Sequence, residues 1–350
     1  MQHKGYLHWA IGNTKTTWWH DSAEPGELVR GLERGARGVT TNPVLSHLAL
    51  SKNKRLWTEE IRHILSKDLG PEGRAEALMR VPITRAAEKL MPEYERSGGA
   101  MGFVCAQVNP VRAADRKGML SMARRLHKWA PNIAVKLPVT AAGLDVLEKC
   151  TAEGITITAT VSFTVPQVIA TAERYRQGIQ RARRNGVEPG KCFAVIMVGR
   201  LDDYLRDVAQ DYQADVDESD VQQAGLAVTK RAYSIYAQRG YEAVLIVAAL
   251  RGAYHMTELA GAKLIVSIAP KYQEILLSQN LPCEERIHVD VSPEAIERLS
   301  NLPEFVRAYD PEGMTPQDFI AYGVTQKTLA QFYEVGWRHL ETFELDDRRQ

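Results

Sequence analysis

Short apolar runs of strand length alternate along the chain with segments whose apolar residues return every three or four positions. The runs are Thr16–His20, Val39–Asn42, Phe103–Val108, Asn132–Pro138, Ile155–Val161, Cys192–Val198, Ala243–Ala249 and Leu264–Pro270. They are rich in β-branched and aromatic residues, and most close on a polar residue, a glycine or a proline, as buried strands do. Helical spacing predicts helices over residues 22–36, from Met119 to Trp129, over Ala141–Glu153 and over Pro166–Arg184. A helical stretch follows Arg200, with an acidic, polar interruption near 214–222. Gly225–Arg239 and a short segment at 252–261 complete this set. Residues 44–97 hold no strand pattern. Leu56–Leu65 and Ala75–Tyr94 read there as helices split by Gly70-Pro71.

Strand–helix alternation implies parallel pairing. Eight such units favour closure as a (β/α)8 barrel over an open doubly wound sheet. No GxGxxG follows the first strand, which counts against dinucleotide binding. The expected architecture is therefore one α/β domain across residues 1–350. Its barrel core spans about 16–270, with a helical insertion at 44–100 between strands 2 and 3. A helical extension at 271–350 ends in the charged tail Asp346–Gln350 and is expected to pack on the barrel or on a neighbouring subunit.

Composition narrows the partners. Hydrophobic residues make up 45% and charged residues 25%, so a packed core is expected. The 44 basic and 43 acidic residues leave a formal charge of +1, which gives no reason to expect nucleic acid or an anionic membrane as partner. No apolar run approaches the ~20 residues of a membrane span, and the first residues, Met1 to Tyr6, lack the apolar core of a signal peptide. Cys105, Cys150, Cys192 and Cys283 show no CxxC spacing and read as reduced thiols of a cytoplasmic protein. The nine histidines include no HxxxH pair, so no metal is expected.

One charge is out of pattern. Lys136 lies in the middle of an otherwise apolar strand, which offers its side chain one face and a fixed direction. Burial pushes such an amine towards its neutral form, which is what attack on a carbonyl needs. The rival reading is a structural lysine paired with a buried carboxylate. In a barrel the chemistry gathers where strands end, and those positions read Asp21, Asn42, Gln107, Lys136, Thr160, Arg200, Arg251 and Ser267. Singly, Asp21 reads equally well as a helix N-cap, Asn42 as a turn starter and Thr160 as an ordinary strand residue. The two arginines have a plain reading as solvated or salt-bridged. Their convergence favours a site.

The run Gly38-Val39-Thr40-Thr41-Asn42-Pro43, the run Val135-Lys136-Leu137-Pro138-Val139-Thr140-Ala141-Ala142-Gly143-Leu144, Glu153-Gly154-Ile155, Gly199-Arg200 and Ala269-Pro270 resemble the transaldolase family in order and spacing. The likeness covers most of residues 16–270. Met91-Pro92-Glu93-Tyr94 and Gly98-Gly99 resemble its longer members. The resemblance implies a class I enzyme of carbohydrate metabolism and the pentose phosphate pathway. Such an enzyme moves a dihydroxyacetone unit from a ketose or ketose phosphate to an aldose acceptor, with no cofactor. It implies that Lys136 forms the Schiff base, Asp21 is the acid–base, and Gln107 and Thr160 position water. Asn42, Thr41, Thr158 and Ser267 would contact substrate, and Arg200 and Arg251 would take its phosphate.

The chain also departs from that pattern. Gln107 stands where transaldolases carry glutamate, as in the related fructose-6-phosphate aldolases, and an amide positions water without exchanging a proton with it. Thr158 replaces an asparagine, Ala249 a serine, and Met197 a phenylalanine or tyrosine. An aldolase without transfer is the second reading. A barrel that binds sugar phosphate without turnover is the third. Nothing resembling a pyridoxal phosphate cup accompanies the lysine.

Overall fold

Eight parallel strands close into a barrel in sequence order, β1 pairing with both β2 and β8. They are β1 (Thr17–His20), β2 (Gly38–Val39), β3 (Phe103–Gln107), β4 (Ile133–Pro138), β5 (Ile157–Thr160), β6 (Cys192–Met197), β7 (Val244–Ala248) and β8 (Ile265–Ile268). The computed structural model describes residues 5–345, so the expected tail at Asp346–Gln350 lies outside the described residues. The (β/α)8 barrel expected from the alternation is the observed fold, with the insertion and the C-terminal helices where the pattern placed them.

The barrel's floor is aromatic. Trp19 and Phe103 each meet Phe193 edge-on, with ring centroids 4.7 and 5.4 Å apart. A Cβ on Gly38 would lie 2.5 Å from the Trp19 indole, so only glycine leaves room for that ring inside the closed sheet. Two inward positions further along β3 is Gln107, level with Lys136 of β4. The amine therefore stands above a dry layer. Asn132, just before β4, donates to the carbonyls of Ala87 and Gly102, both at 2.9 Å, and so ties that strand's entry to the insertion.

Several strands are shorter than the apolar runs. β5 ends where Val161 takes a φ of 52°, and β7 ends before Ala249 at 60°. Non-glycine residues in that region cost ~1–3 kcal/mol each, and such strain gathers at functional sites. The second run was expected to continue to Asn42. Instead β2 stops at Val39, and Asn42 caps a helix at Pro43–Lys52 that the sequence reading missed. Gly70-Pro71 separates two helices as expected, Thr58–Leu65 and Pro71–Arg96; Pro71 is the first residue of the longer one, and Pro82 and Pro92 lie within it. The acidic stretch near 214–222 holds the capping box of Asp217 and Asp220, which starts a helix at Glu218 rather than Gly225. A further unpredicted helix covers Tyr6–Asn13.

The C-terminal extension packs on its own barrel. Gly323–Phe332 continues into a π-helical turn at Tyr333–Trp337, which lies against the Pro43–Lys52 helix. A Cβ on Gly336 would meet the Val44 nitrogen at 2.5 Å. Arg338–Glu341 then rests on the Pro71–Arg96 helix. Among the described residues no helix is long and apolar enough to cross a membrane, and no group of three or more His, Cys, Asp and Glu is placed to hold a metal ion.

Candidate active site

Lys136 points into the barrel at 6% exposure, and its Nζ donates to the carbonyl oxygen of Thr41 at 3.0 Å. It makes no ion pair with any described residue. Burial lowers its pKa below the usual lysine value, and Arg200 pushes the same way, while Cys105 and Asp21 oppose. The Thr41 hydroxyl is engaged by the Cys105 carbonyl at 2.7 Å, so Thr41 meets the site through its own carbonyl rather than its side chain.

Asp21 does not cap the following helix. That role belongs to Glu24, which accepts from Glu27. Asp21 instead accepts from the Thr40 hydroxyl at 2.7 Å, and Thr40 is in turn hydrogen-bonded to Ser267 on β8. Ser267, Thr40 and Asp21 form one chain of hydroxyls ending on a carboxyl group. Burial raises the Asp21 pKa, opposed by the Thr40 bond and the Lys136 charge. A carboxyl group held above its ordinary pKa, beside an amine held below its own, is suited to exchanging protons near neutrality.

Gln107 and Thr158 flank Lys136 in register on β3 and β5. The Gln107 Oε1 and the Thr160 hydroxyl are buried without partners, as is the Ser162 hydroxyl just beyond β5. Orphaned buried acceptors and hydroxyls are costly unless a water or ligand meets them. The Thr158 hydroxyl lies 3.4 Å from the Cys105 sulfur. Asn42 commits its Oδ1 to the Leu45 amide at 3.0 Å, so its capping role is present and only its amide NH2 is left to face a ligand.

The two arginines differ. Arg200, in the first turn of the helix Val198–Tyr212, donates to the Gln331 side-chain oxygen at 2.6 Å and stacks on Phe332 with 5.2 Å to the ring centroid. Its Nε is buried and unpartnered. Burial, helped by the charge of Arg251, lowers its pKa to about 10. Arg251 is tied to Asp203 through Nε and Nη2 at 2.9 and 2.6 Å, and its Nη1 donates to the Ala249 carbonyl at 2.8 Å. Sequence reasoning missed Thr40 as more than a motif residue, and it missed Asp203, Gln331 and Phe332. No local pattern could have found the last two, because they reach Arg200 from about 130 residues away. A wide groove lined by His63, Glu72, Arg80 and Trp129 lies among the insertion's helices and contains none of these residues.

A parallel eight-stranded barrel, floored by aromatics and built around a desolvated amine and a half-buried carboxyl group, defines the structural class. Residues 18–335 match the family model described as Transaldolase/Fructose-6-phosphate aldolase, and the chain belongs to that family. Among its relatives is a protein named transaldolase from Neisseria gonorrhoeae, 31% identical over 52% of this chain and 53% of the relative. Another, from Neisseria meningitidis, is 29% identical over 61% and 60%. The match to the transaldolase of Thiobacillus denitrificans is longer, 27% identical over 92% of this chain and 91% of the relative. The chain thus spans little more than half the length of the two Neisseria relatives and nearly all of the third.

Proposed function

We propose that this chain, acting as one barrel domain, is a class I transaldolase that moves a dihydroxyacetone unit from a ketose phosphate to an aldose. The observation that carries this reading is the state of Lys136: a buried amine, hydrogen-bonded to a peptide carbonyl and paired with no carboxylate. A structural lysine would have its counter-ion; a nucleophile needs its lone pair. The amine attacks the ketone carbon, water leaves, and the protonated imine becomes an electron sink. Asp21 takes the proton of the hydroxyl beside the breaking carbon–carbon bond. The aldose fragment departs and an enamine stays on Lys136. An incoming aldehyde captures that enamine while Asp21 returns its proton to the new hydroxyl, and water releases the ketose. Gln107 and Thr160, with unmet polar atoms beside the amine, hold that water. Arg200 and Arg251 take the phosphate.

Gln107 favours a second reading, an aldolase in which water protonates the enamine and no acceptor is needed. The test is incubation with fructose 6-phosphate, borohydride reduction and mass measurement of the Lys136 peptide, followed by turnover with and without an aldehyde acceptor. A trapped adduct with product only in the presence of acceptor is the expected result. Product without acceptor favours the aldolase, and absence of any adduct leaves a barrel that binds sugar phosphate without chemistry. The free cysteines, three of them buried, support a reducing, cytoplasmic setting. A homo-oligomer remains part of the proposal, to be read from mass in solution.

A further inference from the structure

After β7 the chain turns sharply through Ala249, at a φ of 60°, and delivers Arg251 to the mouth of the barrel. The Arg251 backbone N–H donates to Nδ1 of His255 at 3.1 Å. The other ring nitrogen, Nε2, lies 2.9 Å from Oδ2 of Asp202, and both side chains are wholly buried. Asp202 Oδ1 accepts from the backbone N–H of Gly225 at 2.9 Å. A Cβ at Gly225 would come within 2.9 Å of that oxygen, so glycine is what admits the carboxylate between the two helices.

These contacts fix the tautomer. Because Nδ1 faces a donor it carries no hydrogen, and Nε2 carries it towards Asp202. The Arg251 guanidinium is held separately by Asp203, the next residue on the same helix. A Cβ on Gly199 would strike the Arg251 side chain at 2.5 Å, so that side chain crosses the glycine beside Arg200. Consecutive aspartates thus hold the two ends of one arginine, Asp202 through His255 at the backbone and Asp203 at the head group.

We infer that Asp202 and His255 form a buried positioning pair that sets where Arg251 stands and, through it, how tightly the substrate's anionic end is held. Neither residue touches substrate. The inference rests on the reading that Arg200 and Arg251 face that anion. Its rival is a purely structural role, since Asp202 also joins two helices through Gly225.

Asp202→Asn separates the two. Its oxygen can still accept from Gly225, which turns the amide NH2 towards His255. That forces Nε2 to accept, moves the ring proton to Nδ1 and sets two hydrogens against each other at the Arg251 N–H. The readouts are the nitrogen shifts of His255, which report the tautomer, and the concentration for half-maximal borohydride trapping. Trapping is compared for fructose 6-phosphate and for dihydroxyacetone, which carries no anion. Asp202→Asn should reverse the tautomer and raise the fructose 6-phosphate value about tenfold, the scale of one charge-assisted contact, with dihydroxyacetone unmoved. His255→Leu, similar in size but lacking an acceptor, should do the same to trapping, and His255→Asn, which restores one, should recover most of the loss. If the first two variants melt lower yet trap both ketoses like the parent, the pair is structural and the inference falls. Arg251→Ala separates the failures. If it alone weakens fructose 6-phosphate trapping, only the positioning pair is wrong; if it too has no effect, the anion reading and this inference fail together.

Discussion

The Nζ of Lys136 on β4 reaches past β3 to the carbonyl oxygen of Thr41, which follows β2, at 3.0 Å. A carbonyl oxygen can accept from a neutral amine as well as from an ammonium, so the contact orients the side chain in either state without supplying a counter-ion. The charge on Lys136 is therefore opposed by burial and by Arg200, and Cys105 and Asp21 compensate it without forming an ion pair.

That state has a signature in stability. With its pKa lowered by burial, Lys136 gives up its proton in the folded protein at a pH where the unfolded chain still holds it. Between the lowered value and the ordinary 10.5 the unfolded state binds more protons, so stability rises with pH across that window. Below the window the folded state carries the full penalty. Lys136→Met removes the titration. Urea unfolding at a series of pH values from 7 to 10 should show the variant more stable than the parent at the low end, with the difference shrinking as pH rises. The same variant should form no borohydride-trapped adduct.

Asp21→Asn keeps the Thr40 hydrogen bond available and removes the exchangeable proton. Trapping on Lys136 should persist, because the amine and its carbonyl contact are untouched. Turnover should fall by ~10²–10⁴-fold, the usual worth of one positioned acid–base group. Equal losses in trapping and turnover would place Asp21 in binding rather than in proton transfer.

The barrel was legible because parallel strands buried on both faces leave continuous apolar runs, and eight of them show plainly from Trp18 to Ile268. Strand ends were less so. Val161 and Ala249 are apolar and prolong their runs on paper, yet both take a left-handed φ that only the folded backbone reveals. Lys136 and Asp21 could be named because each breaks a local pattern, a charge inside an apolar strand and an acid at its end. Asn42 reads in the sequence as a polar strand end or a turn starter, yet β2 stops at Val39 and Asn42 caps a helix, which Pro43 hid by reading as a strand terminator. Asp202, His255 and Gln331 gave no local signal at all, because their contacts join segments far apart in the chain.

Gly38 tests the aromatic floor. A methyl group there would lie 2.5 Å from the Trp19 indole, which is locked against Phe193. Overpacking of this kind costs ~1–3 kcal/mol, so Gly38→Ala should lower the unfolding free energy by that amount, read as a lower urea midpoint with an unchanged slope. A midpoint equal to the parent's would mean the floor yields, and with it the argument that Lys136 stands on a rigid dry layer.

Gln107→Glu introduces a carboxylate in register with Lys136. An anion there favours the ammonium form, so the amine's pKa moves up and the rising limb of the trapping rate moves to higher pH. The same carboxylate, unlike the amide, can exchange protons with a bound water, so imine formation and hydrolysis above that limb should run faster than in the parent. Trapping rates measured from pH 6 to 10 check both. A limb that stays in place would mean that Gln107 turns away from the amine, and its orphaned Oε1 would need another partner.

Arg200 and Arg251 carry the same charge, but only one has its charge answered. Arg251 already holds Asp203 through two nitrogens, whereas the Arg200 contacts are a neutral amide and an aromatic face, and its Nε has none. Burial and the neighbouring guanidinium bring its pKa down to about 10, so an arriving phosphate would relieve Arg200 and gain from it. A charge-assisted hydrogen bond to such a group is worth ~1.5–3 kcal/mol, or roughly ten- to a hundredfold in affinity. Arg200→Gln should therefore raise the fructose 6-phosphate concentration for half-maximal trapping by about that factor. Arg251→Gln should raise it less, because its guanidinium is already neutralised by Asp203 and has less charge left to offer the phosphate. Dihydroxyacetone, with no anion to place, should trap equally well on parent and both variants. An Arg251 effect larger than that of Arg200 would mean that the ion pair with Asp203 opens when substrate arrives, and that the binding cation is the one Asp203 holds.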